Sequence, residues 1–146
     1  LGAKINAYDV APDKEWADLN SVQYLPFKQL LSSADIISLH ATPASNQFPL
    51  IGKEEIVLMK QDVVLINTSR GECIDENALL DGLKSGKVGG AGLDVYPAEP
   101  YIGQLCDLEN VVLTPHLATL TKESRLEMEI QATQNVLDEL NKQKQE

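Results

Sequence analysis

Arg70, Glu99 and His116 are the side chains that proton chemistry on a small organic acid calls for, and each lies just past an apolar run. Arginine's planar fork holds a carboxylate through two parallel charge-assisted hydrogen bonds. Arg70 sits in Asn67-Thr68-Ser69-Arg70-Gly71, directly after the apolar stretch 63–66. Histidine exchanges protons near neutral pH, and His116 follows Thr114-Pro115 after the run Val111 to Leu113. Glu99 lies between Pro97 and Pro100, in a stiffened loop where a carboxylate can orient an imidazole and hold its proton. Each has an ordinary alternative: a surface arginine beside a turn glycine, a structural histidine, a solubilising glutamate. As a set they bind an acid, move a proton and orient the group that moves it. Asp94, within the apolar stretch Gly90 to Val95, is a carboxylate where a central strand seldom carries one without a partner. Thr68 and Ser69 offer hydroxyl and backbone groups to a cofactor, or merely to the strand end. Asp9 is either a solvated turn residue or, in a dinucleotide-binding fold, the acceptor for the adenosine ribose hydroxyls.

The elements that must position these residues are short apolar strands alternating with helical segments. Strands are expected at Lys4 to Tyr8, Ser21 to Leu25, Ile36 to Leu39, Val63 to Ile66, Gly90 to Val95 and Val111 to Leu113. Pro26 opens a short helix to Leu31, and Lys53 to Met59 supplies a helical turn or two. Asp75 is placed to cap a helix from Glu76 to Ser85 that Gly86 ends, with Leu79, Leu80 and Leu83 on one side. Thr121 can cap a long last helix over 121–144, with Glu123 in its first turn, a stripe of Leu126, Ile130, Val136 and Leu137, and fraying from Asn141 onward. Strands apolar throughout, alternating with helices, predict a parallel sheet covered on both faces: a doubly wound, Rossmann-like α/β fold. Such sheets bind ligands beyond the carboxyl ends of their strands, where the residues named above lie.

The 146 residues fit one domain. Their 12 basic and 22 acidic side chains give a net charge of −10, a poor basis for binding nucleic acid. No run approaches the roughly 20 apolar residues of a membrane span, and no charged-then-apolar leader resembles a secretion signal. Cys73 and Cys106 are too few for a disulfide framework and lack metal-ligand spacing. A cytoplasmic protein without metal, membrane or nucleic-acid partners is the expectation.

Four stretches, LGAKINAYD (1–9), ADIISLHATP (34–43), the run from Leu58 to Pro100, and LENVVLTPHLATLTKES (108–124), resemble the nucleotide-binding domain of the D-isomer-specific 2-hydroxyacid dehydrogenases. The resemblance covers nearly the whole chain in order. Its centre is an N-x-x-R-G strand end, then L-D-V-Y-x-x-E-P, then T-P-H. It implies that Arg70 binds the substrate carboxylate and polarises the carbonyl, that His116 is the acid/base, and that Glu99 is its partner. It further implies Asp9 on the ribose, favouring NAD over NADP by repulsion of the 2′-phosphate. Asp94 and Thr68 then lie toward the nicotinamide, Ser69 is among the cofactor-binding residues, and Pro43 belongs to a loop running past the cofactor. The reaction implied is reversible hydride transfer between NAD(H) and a D-2-hydroxy acid, with D-3-phosphoglycerate the best single substrate through the run Ser38-Leu39-His40-Ala41. A homodimer is implied for the parent protein.

The sequence has no G-x-G-x-x-G, the loop that cradles a pyrophosphate. In the family that loop, its strand and its helix precede the part resembled here, and a separate substrate domain completes the cleft. The expectation is therefore a C-terminal portion of the NAD-binding domain, its sheet incomplete at the N-terminal side, inactive by itself and inclined to self-associate. A second reading keeps the scaffold and changes the role: an NAD-binding corepressor-type protein without metabolic turnover.

Overall fold

In the computed structural model, which describes residues 2–41 and 49–143, four strands form a parallel sheet in the order β3-β4-β5-β6. These are β3 (Ile36–Leu39), β4 (Val63–Asn67), β5 (Val88–Leu93) and β6 (Val111–Leu113). The register aligns Leu39, Asn67, Leu93 and Leu113, so four carboxyl ends finish on one edge. A second sheet holds only β1 (Asn6–Ala7) and β2 (Gln23–Tyr24), parallel, with Asn6 opposite Gln23. The helices are α1 (Lys14–Leu19), α2 (Phe27–Ser33), α3 (Lys53–Leu58), α4 (Glu76–Ser85) and α5 (Lys122–Gln143). Two compact units result, Leu1–Pro115 and His116–Glu146.

The expected parallel α/β sheet is observed, with one difference in how it is covered. One face carries Ile37, Leu65 and Ala91, buried with Leu39, Val63, Val88 and Leu93 in a single core that also takes in Leu31, Ile56, Leu79, Leu80 and Leu83 from α2, α3 and α4. The other face carries Ile36, Val64 and Gly90, then Ser38, Ile66, Gly92 and Val112. There Ile36 is 62% and Val112 68% exposed, so within the first unit this face is not covered as the unbroken apolar runs predict. Period-2 geometry sends alternate side chains to opposite faces whatever their chemistry.

Local chemistry explains the helix ends. The Asp75 carboxylate accepts from the Ala78 N–H at 2.8 Å, and Gly86, with φ 76°, closes α4 in the left-handed conformation a glycine adopts without steric cost. Glu55 reaches back to the Gly52 N–H at 3.0 Å at the start of α3. In the second unit Thr121 Oγ1 accepts from the Ser124 N–H at 3.1 Å, the expected cap of α5. Leu126, Ile130, Val136 and Leu137 are about half-exposed along that helix. Among the described residues no helix is long and apolar enough to cross a membrane.

Two expectations shift. β5 runs Val88–Leu93 instead of Gly90 to Val95, because Val88, fully buried, pairs with Val63 despite the two glycines after it. Asp94 therefore stands just past the strand, not inside it. α1 was not foreseen: its cap is Asp13, which accepts from the Trp16 N–H at 2.9 Å, but only Ala17 is buried, so no apolar stripe announces it.

Candidate substrate and cofactor site

The edge formed by the strand ends is built around Asn67, the last residue of β4 and 1% exposed. Its Nδ2 donates to the Arg70 carbonyl at 2.8 Å, while its Oδ1 accepts from the Ser69 N–H at 3.1 Å and the Ser69 hydroxyl at 2.9 Å. One amide side chain thus folds the loop back on itself, satisfying groups that would otherwise be costly to bury. The Arg70 carbonyl also accepts from the Cys73 N–H at 3.1 Å, opening the 3-10 turn Gly71–Cys73. Arg70 itself is exposed. Its Nη1 donates to the Ser69 carbonyl at 2.7 Å, which uses one of five guanidinium N–H donors and steers the rest. Ser69 was expected to offer its groups to a cofactor, but it is buried: its hydroxyl and N–H serve Asn67 and its carbonyl serves Arg70. Thr68 is exposed at the strand end.

The next strand end is organised by Tyr96. Asp94 is 5% exposed; its N–H donates to the Asn67 carbonyl at 3.0 Å and its Oδ1 accepts from the Thr114 hydroxyl at 2.5 Å. The sequence asked for a partner to this carboxylate, and Thr114 is one. The Tyr96 hydroxyl, its ring buried, lies 2.9 Å from the Leu93 carbonyl and 3.0 Å from that of Thr114. The Tyr96 N–H donates to Glu99 Oε1 at 3.2 Å, fixing the exposed Glu99 over the turn between the prolines. The Arg70 loop and the Glu99 loop touch through backbone: a Cβ built on Gly71 would lie 2.1 Å from the Tyr96 carbonyl carbon. Beneath that contact a cavity of about 20 Å³, lined by Asn67, Gly71, Leu79, Tyr96 and Leu105 among others, has room for a single water.

Tyr96 stacks on Tyr101 at 4.6 Å between ring centroids, and the Tyr101 hydroxyl donates to Glu76 at 2.8 Å. Burial first, then the hydrogen bond to Glu76, pushes Tyr101 up from 10.0 to about 12; burial raises Tyr96 also. Folding thus favours the neutral phenols, a stabilisation present below the unfolded value near 10 and lost as pH rises through about 12. In an alkaline titration followed by tyrosinate absorbance, two of the four tyrosines ionise above the ordinary range, and Tyr101→Phe removes the latest step. An unchanged late step in that variant contradicts the assignment.

His116 opens the second unit, exposed, with a left-handed backbone at φ 56°. Ser21 and Asp62, outside the site, share that conformation at φ 56° and 60°. The first unit ends one residue after Thr114, whose carbonyl and hydroxyl are both engaged. Asp9 is exposed past β1, its Oδ1 accepting from the Ala11 N–H at 2.8 Å. Pro43 lies outside the described residues. Sequence reasoning singled out Arg70 and Glu99 but not Asn67 or Tyr96, which hold them. A polar residue ending an apolar strand just before an Arg-Gly turn was the signal available for Asn67.

A parallel sheet with polar and charged groups gathered past its strand ends is the arrangement of an α/β protein that takes its ligand at that edge. Residues 1–118 match the family described as D-isomer specific 2-hydroxyacid dehydrogenase, NAD binding domain, and the chain belongs to that family. It is 43% identical over 126 residues to a glyoxylate reductase of Thermococcus litoralis, covering 86% of this chain and 38% of that protein. It is 41% identical over 128 residues to a D-3-phosphoglycerate dehydrogenase of Archaeoglobus fulgidus, covering 86% and 24%. The solved structure of a D-2-hydroxyisocaproate dehydrogenase superposes with a TM-score of 0.84 at 33% identity, over 97% of this chain and 47% of that one. The chain thus spans less than half the length of these proteins.

NAD fits the residues present in one respect that the structure makes explicit. Asp9 is a solvent-facing carboxylate, an acceptor only, at a strand's carboxyl end, as a ribose diol requires. The inward turn of Ser69 and the burial of Asp94 leave Thr68 as the exposed hydroxyl of that set.

Proposed function

We propose that this chain is the NAD-binding part of a dehydrogenase of its relatives' length, which interconverts a D-2-hydroxy acid and the 2-oxo acid. The observation that carries this reading is the anchored yet exposed guanidinium of Arg70 at the carboxyl end of β4, in a chain of an NAD-binding family. In the direction of reduction, Arg70 holds the substrate carboxylate and polarises the adjacent carbonyl. His116 gives a proton to the carbonyl oxygen as it becomes a hydroxyl, and Glu99 favours the imidazolium before transfer. The hydride for the carbonyl carbon would come from bound NADH. Asp9 holds the ribose hydroxyls, with Thr68 and Pro43 flanking the cofactor. Ser69 and Asp94 act by shaping the loops around it.

D-3-phosphoglycerate is the substrate proposed first, supported by the run Ser38 to Ala41 and by a relative named for it; glyoxylate is the first competitor. The parent protein is proposed to be a cytoplasmic homodimer without nucleic-acid or membrane partners, and the 146-residue chain by itself to be inactive. The test is steady-state NADH oxidation by the full-length protein with a panel of 2-oxo acids, beside His116→Ala. Turnover that falls at least about 100-fold in the variant supports the assignment. NAD binding without turnover on any acid overturns it in favour of a binding protein on the same scaffold.

A further inference from the structure

Three strand ends that carry Arg70, Glu99 and the approach to His116 meet at one residue, through its hydroxyl on one side and its backbone on the other two. We propose that Tyr96 is a positioning residue for the reaction, the tie that sets the spacing of these strand ends. This rests on the dehydrogenase reading above. Toward β5 and β6 the tie is the hydroxyl, set between the Leu93 and Thr114 carbonyls at 2.9 and 3.0 Å. Thr114 lies two residues before His116, so this bond fixes where the chain departs from β6. Toward Glu99 the tie is the Tyr96 N–H, at 3.2 Å from Oε1. Toward Arg70 it is steric, through the contact that leaves no room for a Cβ on Gly71. The ring cannot swing away: it is 8% exposed and stacked on Tyr101. Phenylalanine would fill the same volume and core. What the hydroxyl adds is a proton shared between the Thr114 carbonyl, just past β6, and the Leu93 carbonyl at the end of β5, which also accepts from the Thr114 N–H at 3.0 Å. Burial also holds the phenol in its neutral, donating form.

The experiment compares wild type, Tyr96→Phe and Tyr101→Phe in the full-length protein. Tyr101→Phe removes a hydroxyl of the same stack that reaches Glu76 and no strand end, so it controls for loss of a buried hydrogen bond. In Tyr96→Phe, kcat falls about 10-fold, short of the roughly 100-fold that a misplacement of order 1 Å can cost, while KM and NADH affinity hold. The pH profile of kcat moves with it. Equal kcat and an unmoved pH profile of kcat in a folded Tyr96→Phe overturn the positioning role. So does an equal loss in both variants, which is the mark of a purely structural hydroxyl. A wild-type protein that turns over no 2-oxo acid overturns the dehydrogenase reading, and the positioning role falls with it.

Discussion

Arg70→Lys in the full-length protein is expected to lower kcat/KM for the 2-oxo acid by about 100-fold, and Arg70→Ala by about 1,000-fold, within the range for a lost electrostatic clamp. Charge alone does not account for the first value, since lysine keeps it. Three features of the guanidinium matter. Its fork meets a carboxylate with two parallel bonds, whereas an ammonium offers a compact point charge. Its Nη1 is spent on the Ser69 carbonyl at 2.7 Å, which fixes the plane of the fork while leaving further donors for a ligand. Its backbone is held from below by Asn67 at 2.8 Å, so the loop does not need to be ordered by substrate. A lysine loses the first two features and keeps the third. NADH affinity, measured by fluorescence titration, is expected to stay within about threefold of wild type in both variants, because Arg70 is assigned to the acid. A kcat/KM within about threefold of wild type for Arg70→Ala removes Arg70 from the substrate-binding role.

What could be read from the sequence follows from where the information is local. β3, β6 and α4 with its two caps were legible to the residue, since an unbroken apolar run, an Asp four residues before a buried helix face and a helix-ending Gly are each self-contained signals. Arg70 and Glu99 were legible because their types and neighbours already imply chemistry. Asn67 and Tyr96 were not, because their work is done across the fold. Asn67 reads as the polar end of a strand until its two amide atoms are seen to close the loop. Tyr96 reads as one aromatic before a proline until its hydroxyl is found at Thr114, 18 residues on. Ser69 shows the opposite case: its type suits cofactor binding, and only the fold shows its hydroxyl turned inward onto Asn67. The start of β5 was hidden by Gly89 and Gly90, which weigh against a strand locally but are overruled by pairing with β4.

Gly71→Ala is expected to be the most damaging single methyl group in the first unit. The added Cβ would stand 2.1 Å from the Tyr96 carbonyl carbon, 2.3 Å from the Pro97 nitrogen and 2.6 Å from the Tyr96 Cα. All three are backbone atoms, so no rotamer change relieves the contact and one loop must move. The Arg70 loop is pinned by Asn67, and the Tyr96 loop by the hydroxyl bonds to Leu93 and Thr114. Moving either breaks buried hydrogen bonds as well as packing, so the cost is set at about 3 kcal/mol, the upper end for overpacking. Gly92→Ala provides the contrast. Its Cβ would meet only Ile66 Cγ1 at 4.0 Å, an ordinary contact on the less covered sheet face, and its backbone needs no positive φ. That variant is expected to be neutral or slightly more stable, since alanine restricts the unfolded chain more than glycine does. Urea unfolding of the two proteins, read by midpoint at unchanged slope, separates them. Because the strain in Gly71→Ala falls between the two loops that carry Arg70 and Glu99, its folded fraction is also expected to lose kcat/KM by at least about 10-fold. Equal midpoints for the two variants would mean that these loops do not press on each other, and that Arg70 and Glu99 are positioned independently of each other.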